Sequence, residues 1–474
     1  MMEGRSHGRG GSGHGRRDAD MNCAKKDRRR AQAIDAAVFA VLLALVSAVT
    51  LKLFYGQTYW DVDSDMEAYI LEMQGLESGY SFPYPVFFRL AALIHLFASP
   101  ELSVAIATML LNGLAMTVTK LAFNHLALPG LEEGFRARAD RRRQPVTARP
   151  RNGGKGAGAA VWQWLPRVMV SLLALSLFFL SMLYPPAGIY LPGIRFRYVG
   201  VFSANPFHNA TYMAARPFAI LAFLWYVKLL PVYEKGAAPR DYMLFSIFLL
   251  AATMTKPSFT LVLVSGAGLL MLWRLFRAGF RNFRPTVALG LSFVPTFLDL
   301  LYQYKGVFVA AEEGQERGLG FCLGEVWADY CGNIPLGVCL AMGFPLAVLA
   351  LNFRECRKDT MMRFSWLLYV VSFAEAFLLY EKGFRKVDFN FSWGYMYGIF
   401  FCQFASLLML VRTTVRELVR GACREEGESG GGIRGFWMRR KRGAAVLLQW
   451  MAYLGHVVCG VAYFTDMLRG GTYY

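Results

Sequence analysis

The chain has 474 residues, 55% of them hydrophobic and 15% aromatic, with only 18% charged and a formal net charge of +18. Its apolar residues gather in blocks of roughly membrane-spanning length, which excludes an ordinary soluble domain. The Lys and Arg fall in short segments between those blocks, so the charge marks topology and not a nucleic-acid partner. The eight cysteines are scattered and lack a C-x-x-C pair, which excludes a disulfide scaffold and a zinc ribbon.

In chain order, residues 1–32 are Gly- and Arg-rich and read as a disordered basic cytoplasmic tail, with Met21 as a candidate start. Ala33 to Tyr55 is too long for a signal-peptide core and lacks a small-residue cleavage site, so it stays as the first span. Its basic flank KKDRRR places the N-terminal end in the cytoplasm. A long external loop follows, from about Gly56 to Pro100, then a second span at about Leu102 to Leu126 and a basic, Gly- and Pro-rich loop inside.

Spans follow at Val168 to Tyr184 and Met213 to Tyr233. The block Tyr242 to Trp273 is interrupted by TKPSF, where proline removes a backbone donor, so Lys256 and Pro257 mark a reversal between two short spans. Further spans are expected at Val287 to Tyr302, Ile334 to Phe353, Phe364 to Tyr380, Tyr395 to Val411 and Ala444 to Phe464. The expectation is an all-α polytopic transmembrane helix bundle of about eleven spans, with a long first extracytoplasmic loop carrying membrane-surface helices. Its main bundle is residues 33–411, a basic cytoplasmic linker is 412–443, and 444–474 holds the final span and an external C-terminus. No fixed-period or inverted repeat is visible. Cys322 and Cys331 share an external loop, the setting in which a bridge would persist.

The stretch YWDVDSDMEAYILEM, Tyr59 to Met73, places Asp61, Asp63 and Asp65 just after the first span. Asp61, Asp63, Asp65 and Glu72 fit positions of a calcium loop, but Met66 stands where that loop needs Gly. A D-x-D site for a nucleotide sugar conflicts with the external placement, because such donors are cytoplasmic. An acidic helix start needs no chemistry: carboxylates complement the helix dipole, and Met66, Tyr69, Ile70, Met73 and Leu76 make an apolar stripe at helical spacing. The remaining alternative is a catalytic base. Asp65 lies at the stripe's edge, where crowding by acids and partial desolvation would raise its proton affinity.

This layout resembles the GT-C superfamily, polytopic glycosyltransferases that take sugars from polyprenyl-phosphate carriers. In that family an acidic residue in the first external loop acts as base or binds a metal, and here WDVDSDMEAYI stands at that place, with YSFPYPVFFRLAAL continuing the loop. Many members have a His a few positions on, where this chain has Tyr69. The resemblance implies Asp65 or Asp63 as base, a divalent metal at Asp61, Asp63 and Asp65 as an option, and a lipid-linked sugar donor. It also implies a glycan or lipid acceptor on the extracytoplasmic face of the plasma membrane, and inversion at the transferred hexosyl or pentosyl carbon.

Three other stretches fit. TKPSF resembles the Lys-Pro element of several GT-C branches, so Lys256 is a candidate for the lipid phosphate, against the alternative of a snorkelling interfacial lysine. NPFHNATYMAARPFAIL gathers His208, Asn209, Tyr212 and Arg216, the last three on one helical face, with Arg offering the fork that phosphate prefers. EKGFRKVDFNFSWGYMYG adds Lys382, Arg385 and Lys386 outside, where cations are scarce, and Trp393, which would stack on a sugar or join the interfacial belt. Asn209 and Asn390 also head N-x-[ST] sequons. The competing functions are a transporter or flippase for an anionic lipid or glycan, which would use Asp299 or Glu375 within spans, and an envelope polysaccharide polymerase.

Overall fold

The computed structural model describes residues 12–60, 64–143, 157–184, 199–308, 318–423 and 433–471. Asp61 and Asp63 lie outside them. Helix α1 runs over Ser12–Gly56, farther toward the N-terminus than the first apolar block. The stretch from Asp18 to Arg30 is rich in Ala, Lys and Arg, good helix formers, and lengthening an existing helix avoids the cost of a new nucleus.

Two short helices, α2 (Met66–Gln74) and α3 (Pro85–His95), occupy the segment before α4 (Pro100–Leu126) and pack on α4. Gly75 ends α2 in the left-handed conformation at φ 71°, which glycine adopts without steric penalty. Next come α5 (Leu128–Arg143), α6 (Ala157–Ser176) and α7 (Ala210–Leu229). Helices α8 (Pro239–Thr255) and α9 (Ser258–Arg277) meet at Lys256 and Pro257. Lys256 is extended there, at φ −166° and ψ 126°. Its side chain reaches the start of α7 through Asn209, while Arg274 near the end of α9 donates to Leu230 just beyond the end of α7. Helix α9 therefore runs back alongside α7, and the Lys-Pro pair is a reversal.

The chain continues through α10 (Phe283–Leu291), α11 (Val294–Phe308), α12 (Glu325–Ala328), α13 (Ile334–Ala341), α14 (Gly343–Leu351) and α15 (Phe353–Cys356). It ends with α16 (Thr360–Leu378), α17 (Ser392–Cys423) and α18 (Ile433–Leu468). A two-stranded antiparallel ribbon pairs β1 (Leu319–Phe321) with β2 (Leu379–Glu381), matching Gly320 to Tyr380. Cys322 and Cys331, beyond β1, are both free thiols.

Among the described residues the fold is all-α apart from that ribbon, and seven helices are long and apolar enough to cross a membrane. The number is nine if the bent pairs α10 with α11 (48°) and α13 with α14 (67°) each count once. Two of the eleven expected spans fall short of that standard. The apolar helix at Trp164–Phe179 is short, and α8 has 17 residues because Pro257 stops it.

Helix α17 is the axis of the bundle, with its apolar window wholly buried against α16, α9 and α5. Aromatic contacts hold it there: Phe223 of α7 stacks on Phe401 at 4.2 Å, and Tyr212 lies 4.4 Å from Tyr397. Small residues permit close approach, because a Cβ on Gly398 would meet Ser372 of α16. At one end of the bundle several cations are held in ion pairs. Lys120 bonds Asp35 at 2.9 Å, Arg167 bonds Glu132 at 2.5 Å, and Arg412 bonds Asp359 at 2.6 Å. The opposite end holds a cavity.

Candidate functional site

The cavity encloses about 600 Å³, within the range of small-ligand sites. Its walls come from the start of α2, the loop before α7, the α8–α9 reversal, α11, the residues after β2 and the start of α17. Of the residues singled out in the sequence, Asp65, His208, Asn209, Lys256, Arg385 and Trp393 line it, although they are far apart in the chain.

Asp65 occupies the N-cap position of α2 but makes no side-chain cap to its own helix. Its Oδ2 instead accepts from Tyr69 Oη at 2.9 Å and from Asn209 Nδ2 at 2.5 Å. The acidic-helix-start account therefore covers the position of Asp65 and not the direction of its carboxylate. Of the apolar stripe on α2, Met66 and Tyr69 are fully buried while Leu76 is exposed, so the helix is anchored at the Asp65 end.

Asn209 is the N-cap of α7, and its Oδ1 accepts from the Tyr212 amide at 2.9 Å, the usual task of an asparagine there. The same oxygen accepts from Lys256 Nζ at 3.1 Å. Lys256 also donates to Thr211 Oγ1 at 3.2 Å and lies 4.8 Å above the Trp393 ring. Burial pushes the Lys256 ammonium down to about 8, with Asp65 pulling it up and Arg385 pushing it down further. Its snorkelling alternative is not what the geometry contains: the amine points into protein and is 7% exposed as a residue. Asn209 is as thoroughly enclosed, at 1% exposure, so its sequon serves the interior.

His208 lines the same wall, with its ring 5.6 Å from that of Trp393. Burial, assisted by Lys256, lowers it to about 3, so at neutral pH it is an uncharged imidazole. Arg385 also lines the cavity, paired to Glu381 at 3.0 Å and Asp388 at 3.5 Å. Asn390 donates to Glu381 at 2.9 Å. Lys386 pairs with Glu325 at 4.0 Å.

Tyr212 and Arg216 do share one face of α7, but that face packs on α17 and neither residue lines the cavity. Tyr212 is wholly buried, and its carbonyl accepts from Tyr397 Oη at 3.0 Å. The Arg216 guanidinium donates to the Ala204 carbonyl and the Asn205 side chain and lies 4.5 Å from the Phe400 ring. It pins the approach to α7, and its donors are taken by the loop that precedes the helix.

Sequence reasoning did not single out Thr211, Glu381, Asp388, Gln303 or Tyr304, and it treated Tyr69 as apolar. A signal for Thr211 existed in the N-x-T triplet, which here closes a polar network. Carboxylates and cations both line the cavity, Asp65, Glu381 and Asp388 beside Lys256 and Arg385, among the aromatic side chains Tyr80, Tyr84 and Trp393. The lining therefore offers hydrogen-bond donors, acceptors and aromatic faces together. On the α9 and α11 side the wall turns apolar, and Leu261, Phe297 and Leu301 there are 42%, 59% and 46% exposed.

Among the described residues no group of three or more His, Cys, Asp or Glu side chains converges as a metal site would require. Glu375 of α16 borders a small annex that shares Ser258, Leu261, Glu381 and Asn390 with the main cavity, while Asp299 hydrogen-bonds Gln303 at 2.8 Å one turn along α11. No protein-family model matches the chain, and no curated protein or solved structure matches it.

Proposed function

We propose that the protein is an integral membrane glycosyltransferase of the GT-C kind, moving a sugar from a polyprenyl-phosphate carrier to a lipid-linked or cell-envelope acceptor on the extracytoplasmic face. The observation that carries this reading is the convergence of Asp65 and Lys256 on one cavity wall, linked through Asn209. A transfer of this kind needs a base for the incoming hydroxyl and a positive charge for the leaving phosphate, within one sugar's reach of each other.

In the proposed site Asp65 takes the acceptor proton and Lys256 meets the phosphate. Trp393, beside Lys256, would stack on the sugar, and Arg385 with Glu381 and Asn390 would bind hydroxyl groups. Asp63, two residues before Asp65 in the sequence, is a second candidate base. The apolar, exposed wall formed by Leu261, Phe297 and Leu301 supports a ligand with a hydrocarbon tail, because side chains at a bilayer-facing opening contact lipid without penalty. The Lys- and Arg-rich segments at the end remote from the cavity support placing that end and the N-terminus in the cytoplasm.

The test is turnover of short-chain isoprenyl-phosphate hexoses and pentoses by protein purified in lipid nanodiscs, with Asp61→Asn, Asp63→Asn and Asp65→Asn as variants. Loss of the base should cost on the order of 10²–10⁴ in rate. Wild-type turnover by all three variants would overturn the assignment. Movement of the intact donor across vesicles without sugar transfer would replace it with the transporter reading.

A further inference from the structure

The cavity wall contains a second connection between Asp65 and Lys256, besides Asn209. Lys256 Nζ donates to Thr211 Oγ1 at 3.2 Å, Thr211 Oγ1 lies 2.9 Å from Tyr69 Oη, and Tyr69 Oη donates to Asp65 Oδ2 at 2.9 Å. Together with the Asn209 bridge these contacts close a ring. Tyr69 and Thr211 are both at 0% exposure, and the Tyr69 ring is clamped edge-on by Phe82, Phe87 and Phe88 at 5.1, 6.0 and 5.8 Å. Two hydroxyls held dry between an acid and a base are an unusual use of buried polar groups, which elsewhere in this fold mostly bond their own helix, as Thr108 and Thr119 do.

Counting protons gives the ring a direction. Tyr69 has one proton, which goes to Asp65, so the Thr211 hydroxyl must supply the Tyr69–Thr211 bond, and Lys256 supplies the bond to Thr211. Thr211 can alternatively donate to Asn209 Oδ1 at 3.1 Å, which gives that hydroxyl two orientations to rotate between. Burial holds the Tyr69 phenol well above its ordinary value, so it remains a neutral donor at any working pH. The charged and titratable groups facing Lys256 are Asp65 on α2, His208 before α7 and Arg385 beyond β2.

We propose that Tyr69 and Thr211 are a proton relay that resets the site after each transfer, carrying the proton taken by Asp65 back to Lys256. The inference rests on the glycosyl-transfer reading. As the acceptor oxygen bonds to the sugar carbon, its proton passes to Asp65, and the bond from that carbon to phosphate oxygen breaks with its electron pair on the phosphate. Lys256 gives one proton to the departing phosphate. The site is then left with a protonated Asp65 and a neutral Lys256, and the chain has reversed polarity. Asp65 passes its proton to Tyr69, Tyr69 passes its own to Thr211, and Thr211 passes its own to Lys256, restoring both charges. No oxidant, reductant or further reactant is consumed.

The relay separates the first turnover from later ones. In the nanodisc assay with isoprenyl-phosphate sugars, Tyr69→Phe and Thr211→Val should release one equivalent of product per protein rapidly and then continue about tenfold or more slower than wild type. Thr211→Ser, which keeps the hydroxyl, should restore steady turnover. Steady rates equal to wild type in both Tyr69→Phe and Thr211→Val, with Asp65→Asn inactive, would overturn the relay and leave the glycosyl-transfer reading standing. A slowed first turnover without a burst would also overturn it, since that marks a packing defect. Full activity of Asp65→Asn would overturn the relay alone, whereas absence of turnover by the wild-type protein would remove the underlying reading and the relay with it.

Discussion

Asp65 and Lys256 are held at the two ends of a single carboxamide: Asn209 donates to the carboxylate through Nδ2 and accepts from the ammonium through Oδ1. The amide sets the spacing of acid and cation, and its oxygen simultaneously caps α7 through the Tyr212 amide. Helix start and site geometry are therefore one feature.

That double role can be divided by substitution. Asn209→Ala should lose the cap, about 1 kcal/mol of stability, and the bridge. Asn209→Ser should keep most of the cap but be too short to join Asp65 to Lys256. Comparing thermal midpoints with turnover in the two variants checks this, with Asn209→Ser near wild type in stability and impaired in rate.

The lowered position of Lys256, about 8 against an ordinary 10.5, fixes two opposite pH effects. Between those values the unfolded chain holds the proton and the folded one has released it, so stability rises as pH climbs through the window. Activity that needs the ammonium falls as pH climbs through about 8. Lys256→Met should flatten the stability profile above pH 8 and reduce turnover at every pH, measured by unfolding and rate profiles in the same nanodiscs.

The Lys120–Asp35 pair, at 2.9 Å and side-chain exposures of 5% and 10%, sits in the bundle with Ser171 also donating to Asp35. Removing one partner strands a buried charge. Lys120→Met alone should cost about 3–5 kcal/mol, whereas Lys120→Met with Asp35→Leu should recover most of it. A double-mutant cycle by chemical unfolding in detergent measures the coupling.

Gly460 of α18 lies against the Phe179 carbonyl, and a Cβ there would overlap that backbone and approach Leu180. Gly460→Ala should therefore lose about 1–3 kcal/mol or more through displacement of α18. Gly443→Ala in the same helix meets nothing within 4 Å and should gain about 0.5–1 kcal/mol from helix propensity. Thermal midpoints of the two variants moving in opposite directions would bear this out.

Much of the scaffold was legible because its causes are local. Hydropathy over one helix length marks α1, α4, α16 and α17, and Pro257 marks the reversal that presents Lys256. The count of spans was less legible, since the bends within α10–α11 and α13–α14 and the short α8 depend on how each helix seats against its neighbours. Residue type and setting marked Asp65, Lys256 and Asn209 in the sequence, and the fold brings these three to one cavity wall. Sequence pattern misjudged Arg216 because a shared helical face does not say what the face meets.

The sequence by itself therefore determined where apolar helices run, where the Lys-Pro pair turns the chain back, and which segments bring acid and cation. Only the tertiary structure decided which polar atoms touch. Asn209 reaches Asp65 across 144 residues and Thr211 reaches Tyr69 across 142. The physical reason is that a side chain's partner is set by the packing of two helices against each other. The apolar stripe that buries Tyr69 and the cap that orients Asn209 are each written locally, but the hydrogen bonds between them exist only once α2 and α7 share a core.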